Sequence, residues 1–104
     1  MTLGDCQKQV DDWVKQYKEG YWKPHEILAR LIEETGEVAR EINHLHGPKK
    51  KKATEQENEL STELADVIFT VCCMANAQHI DLDKAFAQVM AKCYGRDKER
   101  FEKK

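Results

Sequence analysis

Of the 19 acidic side chains in this 104-residue chain, two groups stand out by their spacing: Glu33-Glu34-Thr35-Gly36-Glu37 and, further on, Glu63-Leu64-Ala65-Asp66. Residues three apart share a helix face, so Glu34 with Glu37, and Glu63 with Asp66, each form a carboxylate pair. Four converging carboxylates repel one another unless cations lie between them. An all-oxygen ligand set suits a hard divalent ion such as Mg²⁺ or Mn²⁺, whose charge offsets a repulsion that otherwise raises carboxyl pKa values. The spacing thus points first to a metal site.

The elements that must position these pairs are helical. Apolar residues recur with a helical period almost throughout, and the chain has only 2 prolines and 5 glycines, which predicts an all-α fold. The first helix is expected from about Thr2 to Lys18, with Thr2 and Asp5 capping its start. Glu19-Gly20-Tyr21-Trp22-Lys23-Pro24 breaks the pattern, because Gly20 can turn left-handed and Pro24 fits only the first turn of a new helix. Tyr21 and Trp22 either staple the start of the second helix or form a platform for a flat ring.

The second helix is expected from Pro24 to about His46, stopped by Gly47-Pro48. On a 100° wheel Glu34 and Glu37 flank the apolar stripe, with Arg30 and Glu41 nearby, while Glu33 points further toward solvent. Lys49-Lys50-Lys51-Lys52 reads as a solvated basic loop. Thr54-Glu55-Gln56-Glu57 has capping-box form and should open a third helix reaching about Gln78. From Leu64 to Ala77 that helix is apolar on nearly every face, which predicts a central helix surrounded by others. Asp66 lies within the apolar run, where an ionised carboxylate is costly unless paired or metal-bound. Asp81 should cap the fourth helix, whose end turns basic at Lys92, Arg96, Lys98 and Arg100.

Composition bounds the rest. A chain of this length is one domain, residues 1–104, with a limited core that association would enlarge. A formal net charge of -2 calls for neither nucleic acid nor an anionic membrane as partner. The lysine run and the basic C-terminus lack interleaved aromatic residues, a further argument against nucleic acid. No stretch is read as a membrane span of roughly 18 apolar residues, and the N-terminus lacks signal-peptide features, so a cytoplasmic location is expected. Cys6, Cys72, Cys73 and Cys93 follow no zinc-ligand spacing and read as small, mostly buried thiols.

Competing chemistries fare worse. A di-iron bundle normally carries two Glu-x-x-His pairs, and His25, His44, His46 and His79 are not placed to supply them. No serine or cysteine has an evident base in the sequence. A lone EExxE pattern arises by chance in an acidic chain; the second pair on an otherwise apolar helix is what raises it. Taken together, Glu33-Glu34-x-x-Glu37 followed by Glu63-x-x-Asp66 resembles the signature of the MazG-like nucleotide pyrophosphohydrolases, the all-α NTP pyrophosphatase superfamily. Lys18-Glu19-Gly20-Tyr21-Trp22, Ala39-Arg40-Glu41-Ile42-Asn43-His44 and Arg96-Asp97-Lys98-Glu99-Arg100-Phe101 extend the likeness toward the short, single-domain YpjD-type branch.

The resemblance implies a four-helix bundle completed by oligomerisation, as a homodimer or a dimer-of-dimers tetramer. It implies hydrolysis of (deoxy)nucleoside triphosphates to monophosphate and pyrophosphate with Mg²⁺, Mn²⁺ being the alternative, in nucleotide-pool housecleaning. By position, Glu34, Glu37, Glu63 and Asp66 match the metal ligands. Glu33 would act with Glu34 and Glu37 as a supporting, water-orienting carboxylate. Lys92, Arg96 and Arg100 match the phosphate-binding segment, and Trp22, then Trp13 and His25, would stack on or border the base. Tyr94 stands where relatives often carry asparagine, which leaves base and sugar preference open. The alternative reading is a non-catalytic helical module that binds a nucleotide or a protein.

Overall fold

The computed structural model of the chain describes residues 1–48 and 59–104. Its described residues form four helices and no strand: α1 (Leu3–Val14), α2 (Pro24–His46), α3 (Leu60–Ala77) and α4 (Leu82–Tyr94). The lysine run and the Thr54 capping box lie outside the described residues.

The caps expected at three helix ends are present. Thr2 Oγ1 accepts from the Asp5 N–H at 3.0 Å while Asp5 Oδ2 accepts from the Thr2 N–H at 2.8 Å, a reciprocal capping box. Pro24 opens α2, and the Asp81 carboxylate accepts from the Lys84 N–H at 3.1 Å to open α4. At the end of α2, Gly47 is required for close approach rather than for a left-handed turn: an added Cβ would stand 2.6 Å from the Asn43 carbonyl oxygen. Gly20, in contrast, does adopt positive φ, at 70°.

The first helix stops sooner than its apolar period suggests. After Val14 the chain closes i→i+3 turns, with the Tyr17 N–H donating to the Val14 carbonyl at 3.1 Å, so Tyr17 falls outside the helix and its ring meets that of Trp13 at a tilt, centroids 5.0 Å apart. A polar clasp holds this region down. Tyr21 Oη donates to Asp11 Oδ1 at 2.7 Å and accepts from Asn76 Nδ2 at 2.9 Å. Asn76 and Gln7 also exchange hydrogen bonds, and Gln7 reaches the Ile80 carbonyl and the Leu82 N–H. One network thus joins α1, the aromatic connection, α3 and the start of α4.

The small core centres on Val10, Val14 and Cys72, with Cys6, Tyr21, Cys73 and Leu82 packed around it. Helix α3 packs chiefly on α2 and then on α1, whereas α4 packs on α1. The expectation that α3 is enclosed by other helices therefore fails for the single chain: Leu64 and Ile68 are about half exposed. The cause is the α3–α4 turn, where His79 adopts φ 59° and sends α4 toward the start of α1. There Asp83 accepts from the Leu3 and Gly4 N–H groups at 3.1 and 3.0 Å, completing the cap of a neighbouring helix rather than of its own. No residue of α4 is buried. The radius of gyration, 17.2 Å, exceeds the roughly 13 Å of a compact domain this long. A second correction concerns α3 itself, which is long and apolar enough by length and composition to cross a membrane; in this fold it instead carries Glu63 and Asp66 and packs along α2 and α1.

Candidate functional site

The long antiparallel-capable pair α2 and α3 brings the acidic groups together. Glu34, Glu63 and Asp66 each offer a carboxylate oxygen, and these oxygens lie within 4.8 Å of one another. Glu34 and Glu63 are 9% and 6% exposed, and Glu41, one turn beyond Glu37, is 4% exposed. Asp66, singled out by its apolar neighbours in sequence, is the less covered of the three, and Glu63 is the deepest. Burial first, and then the charges of Asp66, Glu37, Glu34 and Glu41, push the Glu63 carboxyl above its ordinary value. Glu37 is near enough to contribute to that field but lies outside the closest trio. Glu33 is exposed and is not part of the trio.

An all-carboxylate, partly buried cluster fits a hard divalent cation by the chemistry of its donors. It does not resemble a thiol or imidazole site. Burial pushes the Cys72 and Cys73 thiols up, away from nucleophilic reactivity.

Beside the cluster lies a cavity of about 330 Å³. Its walls are mainly aromatic and aliphatic: Trp13 from the end of α1, Tyr17, Tyr21 and Trp22 from the connection after it, Ile27 from α2 and Phe69 from α3. Trp13 and Phe69 meet edge to face with centroids 5.8 Å apart. Thr70, whose hydroxyl donates to the Asp66 carbonyl at 2.9 Å, and Arg30, whose Nε donates to Glu34 Oε1 at 2.9 Å, connect this wall to the acidic cluster. A cavity of this size suits one flat heterocycle, with the cluster within reach of its substituents.

Residues 23–101 match the MazG nucleotide pyrophosphohydrolase domain. The chain belongs to the MazG nucleotide pyrophosphohydrolase family. It is 47% identical over 103 residues to the Bacillus subtilis protein YpjD, an alignment covering 99% of this chain and 93% of that protein. Its fold superposes on the crystal structure of Bacillus subtilis YpjD with a TM-score of 0.79, covering 88% of this chain and 94% of the other. A crystal structure of the Bacillus-conserved MazG protein, a nucleotide pyrophosphohydrolase, matches with a TM-score of 0.75 at 44% identity, covering 88% of each chain.

Against this MazG frame the sequence-derived residues divide. Glu34, Glu63 and Asp66 converge, with Glu37 beside them, and Trp22 and Trp13 line the cavity. His25 is exposed and lies outside the cavity wall. Lys92, Arg96 and Arg100 are exposed at the end of α4; Arg96 faces Asp97 at 3.5 Å and Arg100 covers Phe101. Because α4 packs on α1, its packing does not carry these cations to the acidic cluster of the same chain. Sequence reasoning passed over Phe69, and it placed Arg30 and Thr70 beside the acidic pairs without giving either a role. The spacing carried a signal for each: Phe69 and Thr70 follow Asp66 by one turn, and Arg30 precedes Glu34 by one turn.

Proposed function

We propose that this MazG protein hydrolyses (deoxy)nucleoside triphosphates to the monophosphate and pyrophosphate, with Mg²⁺, or Mn²⁺ in its place, held by Glu34, Glu37, Glu63 and Asp66. The observation that carries this reading is the acidic trio within 4.8 Å beside an aromatic cavity of about 330 Å³. The base lies among Trp13, Trp22 and Phe69, which exclude water from its faces, and the phosphates lead toward the cluster. When bound, a divalent cation supplies charge neutralisation at phosphate oxygens and acidifies a water. The chain's own part is to hold four carboxylates ionised against their mutual repulsion and to orient the triphosphate from a fixed base. Water is consumed and the P–O–P anhydride linking the first and second phosphates breaks, releasing monophosphate and pyrophosphate.

The same reading includes assembly as a homodimer or a dimer of dimers. Its support is the half-exposed Leu64 and Ile68 on α3, the exposed Phe86 and Val89 on α4, and the open shape of the single chain. Pairing of two copies would cover these faces and gives Lys92, Arg96 and Arg100 of one copy a route to the phosphates held by the other.

Incubation with a panel of canonical and modified triphosphates and Mg²⁺ tests the activity. Pyrophosphate release that disappears in Asp66→Ala is expected; no pyrophosphate from any triphosphate refutes the assignment.

A further inference from the structure

Arg30 stands at the junction of the two halves of the site. Its Nε donates to Glu34 Oε1 at 2.9 Å, its guanidinium carbon is 6.0 Å from the centroid of the Trp22 ring, and its side chain lines the cavity. Among the described residues it is the only cation in the cavity wall. The pairing is lopsided: the Arg30 side chain is 51% exposed and that of Glu34 only 12%, so the guanidinium sits on the open side of the carboxylate. As an ordinary i, i+4 pair on a helix it would contribute little. Its position suits a different role.

A ligand whose ring fills the cavity and whose anionic tail ends at Glu34, Glu63 and Asp66 must pass Arg30. Arg30 holds Glu34 through Nε alone, so its other guanidinium edge is open, and a cation held by Glu34, Glu63 and Asp66 would compete for Glu34 and leave the Nε edge available as well, while the Trp22 face supports the plane. In a nucleotide laid along this path the phosphate attached to the sugar is the first anionic group after the base, and would be the first to meet that fork. We infer that Arg30 is a substrate-contact residue that exchanges Glu34 for the sugar-linked phosphate of the nucleotide. This rests on the nucleotide reading of the site and adds to it the residue that joins base binding to phosphate binding.

The test compares a set of deoxynucleosides with their 5′-monophosphates, measured by calorimetry with Mn²⁺ present, in the parent protein, Arg30→Ala and Arg30→Lys. Binding of Mn²⁺ alone is measured in each by electron paramagnetic resonance. A charge-assisted contact predicts that Arg30→Ala weakens the monophosphate roughly 10- to 100-fold, leaves the nucleoside within about threefold, and does not weaken Mn²⁺ alone. Arg30→Lys should recover part of the loss. The inference is overturned if Arg30→Ala keeps the parent's preference for the monophosphate. It is also overturned if Mn²⁺ alone weakens by the same factor, since Arg30 would then act only by holding Glu34. If the parent binds neither deoxynucleosides nor monophosphates, the nucleotide reading falls, and this inference with it; a parent that binds both while Arg30→Ala is unchanged sinks the Arg30 role alone.

Discussion

Tyr21→Phe removes a single oxygen from the centre of the polar clasp, and its cost can be worked out bond by bond. The hydroxyl donates to the Asp11 carboxylate at 2.7 Å, a charge-assisted bond, and accepts from Asn76 at 2.9 Å. Asp11 is not stranded by the change, because Lys15 Nζ remains 2.7 Å from its other oxygen. One Asn76 N–H is stranded, in a part-buried position, while the other keeps the Gln7 carbonyl. The lost charged bond contributes about 1.5 kcal/mol and the orphaned N–H about 1 kcal/mol, so the variant should be destabilised by about 2–3 kcal/mol. For a domain near this size that lowers Tm by roughly 10 °C.

Urea unfolding followed by circular dichroism, at one fixed protein concentration, measures the change directly. A cycle with Asn76→Ala should show coupling of about 1 kcal/mol between the two positions. A loss below about 0.5 kcal/mol, with additive effects, would refute the clasp as a stabilising unit. The pH dependence provides a second check. Burial, followed by the bond to Asp11, pushes the Tyr21 hydroxyl up to about 12. Because this folded-state value lies above the unfolded one of roughly 10, the contribution is complete below pH 10 and is lost as pH rises toward 12. Parent stability should therefore fall more steeply than that of Tyr21→Phe across this window.

Gly4→Ala places a methyl group 2.6 Å from Asp83 Oδ2, so the carboxylate must leave the α1 N–H groups; a loss of about 1–2 kcal/mol is expected in thermal or urea melts, and combining it with Asp83→Ala should add little. Glu63→Gln removes the carboxylate most opposed by its neighbours, so the metal-free variant should melt higher than the parent while losing the parent's upward shift on adding Mg²⁺, a shift worth about 2.7 kcal/mol at a hundredfold excess over Kd; a parent with no Mg²⁺ response would count against the metal site. Ile68→Glu puts a charge on the open face of α3 and should convert an assembled parent to monomer in light scattering; a parent already monomeric at tens of micromolar would sink the proposed assembly.

Much of the fold was legible because helix boundaries are written in local chemistry. Thr2 with Asp5, Pro24, Gly47-Pro48 and Asp81 each act within one turn of the chain, and each does in the structure what its residue type dictates. Two boundaries were exceptions: α3, expected to open at Thr54, opens at Leu60 with Glu59 extended as its N-cap, and α1 ends early. Its apolar period runs on to Tyr17, but the helix ends at Val14, and beyond it the Tyr17 ring meets Trp13, which in turn meets Phe69 edge to face. Likewise, an apolar circumference on α3 says that every face seeks cover, not that the same chain supplies it.

The acidic site divides along the same line. The sequence alone determined that Glu34 shares a face with Glu37, and Glu63 with Asp66, because a 3.6-residue period is a property of the backbone and needs no tertiary information. Only the tertiary structure decided which of these carboxylates meet, that Glu63 lies deepest, and that Arg30, Trp22, Phe69 and Thr70 form the wall beside them. Those outcomes depend on how far α2 slides along α3 and on how the Tyr21 clasp directs an aromatic turn, and both are set by contacts between residues tens of positions apart.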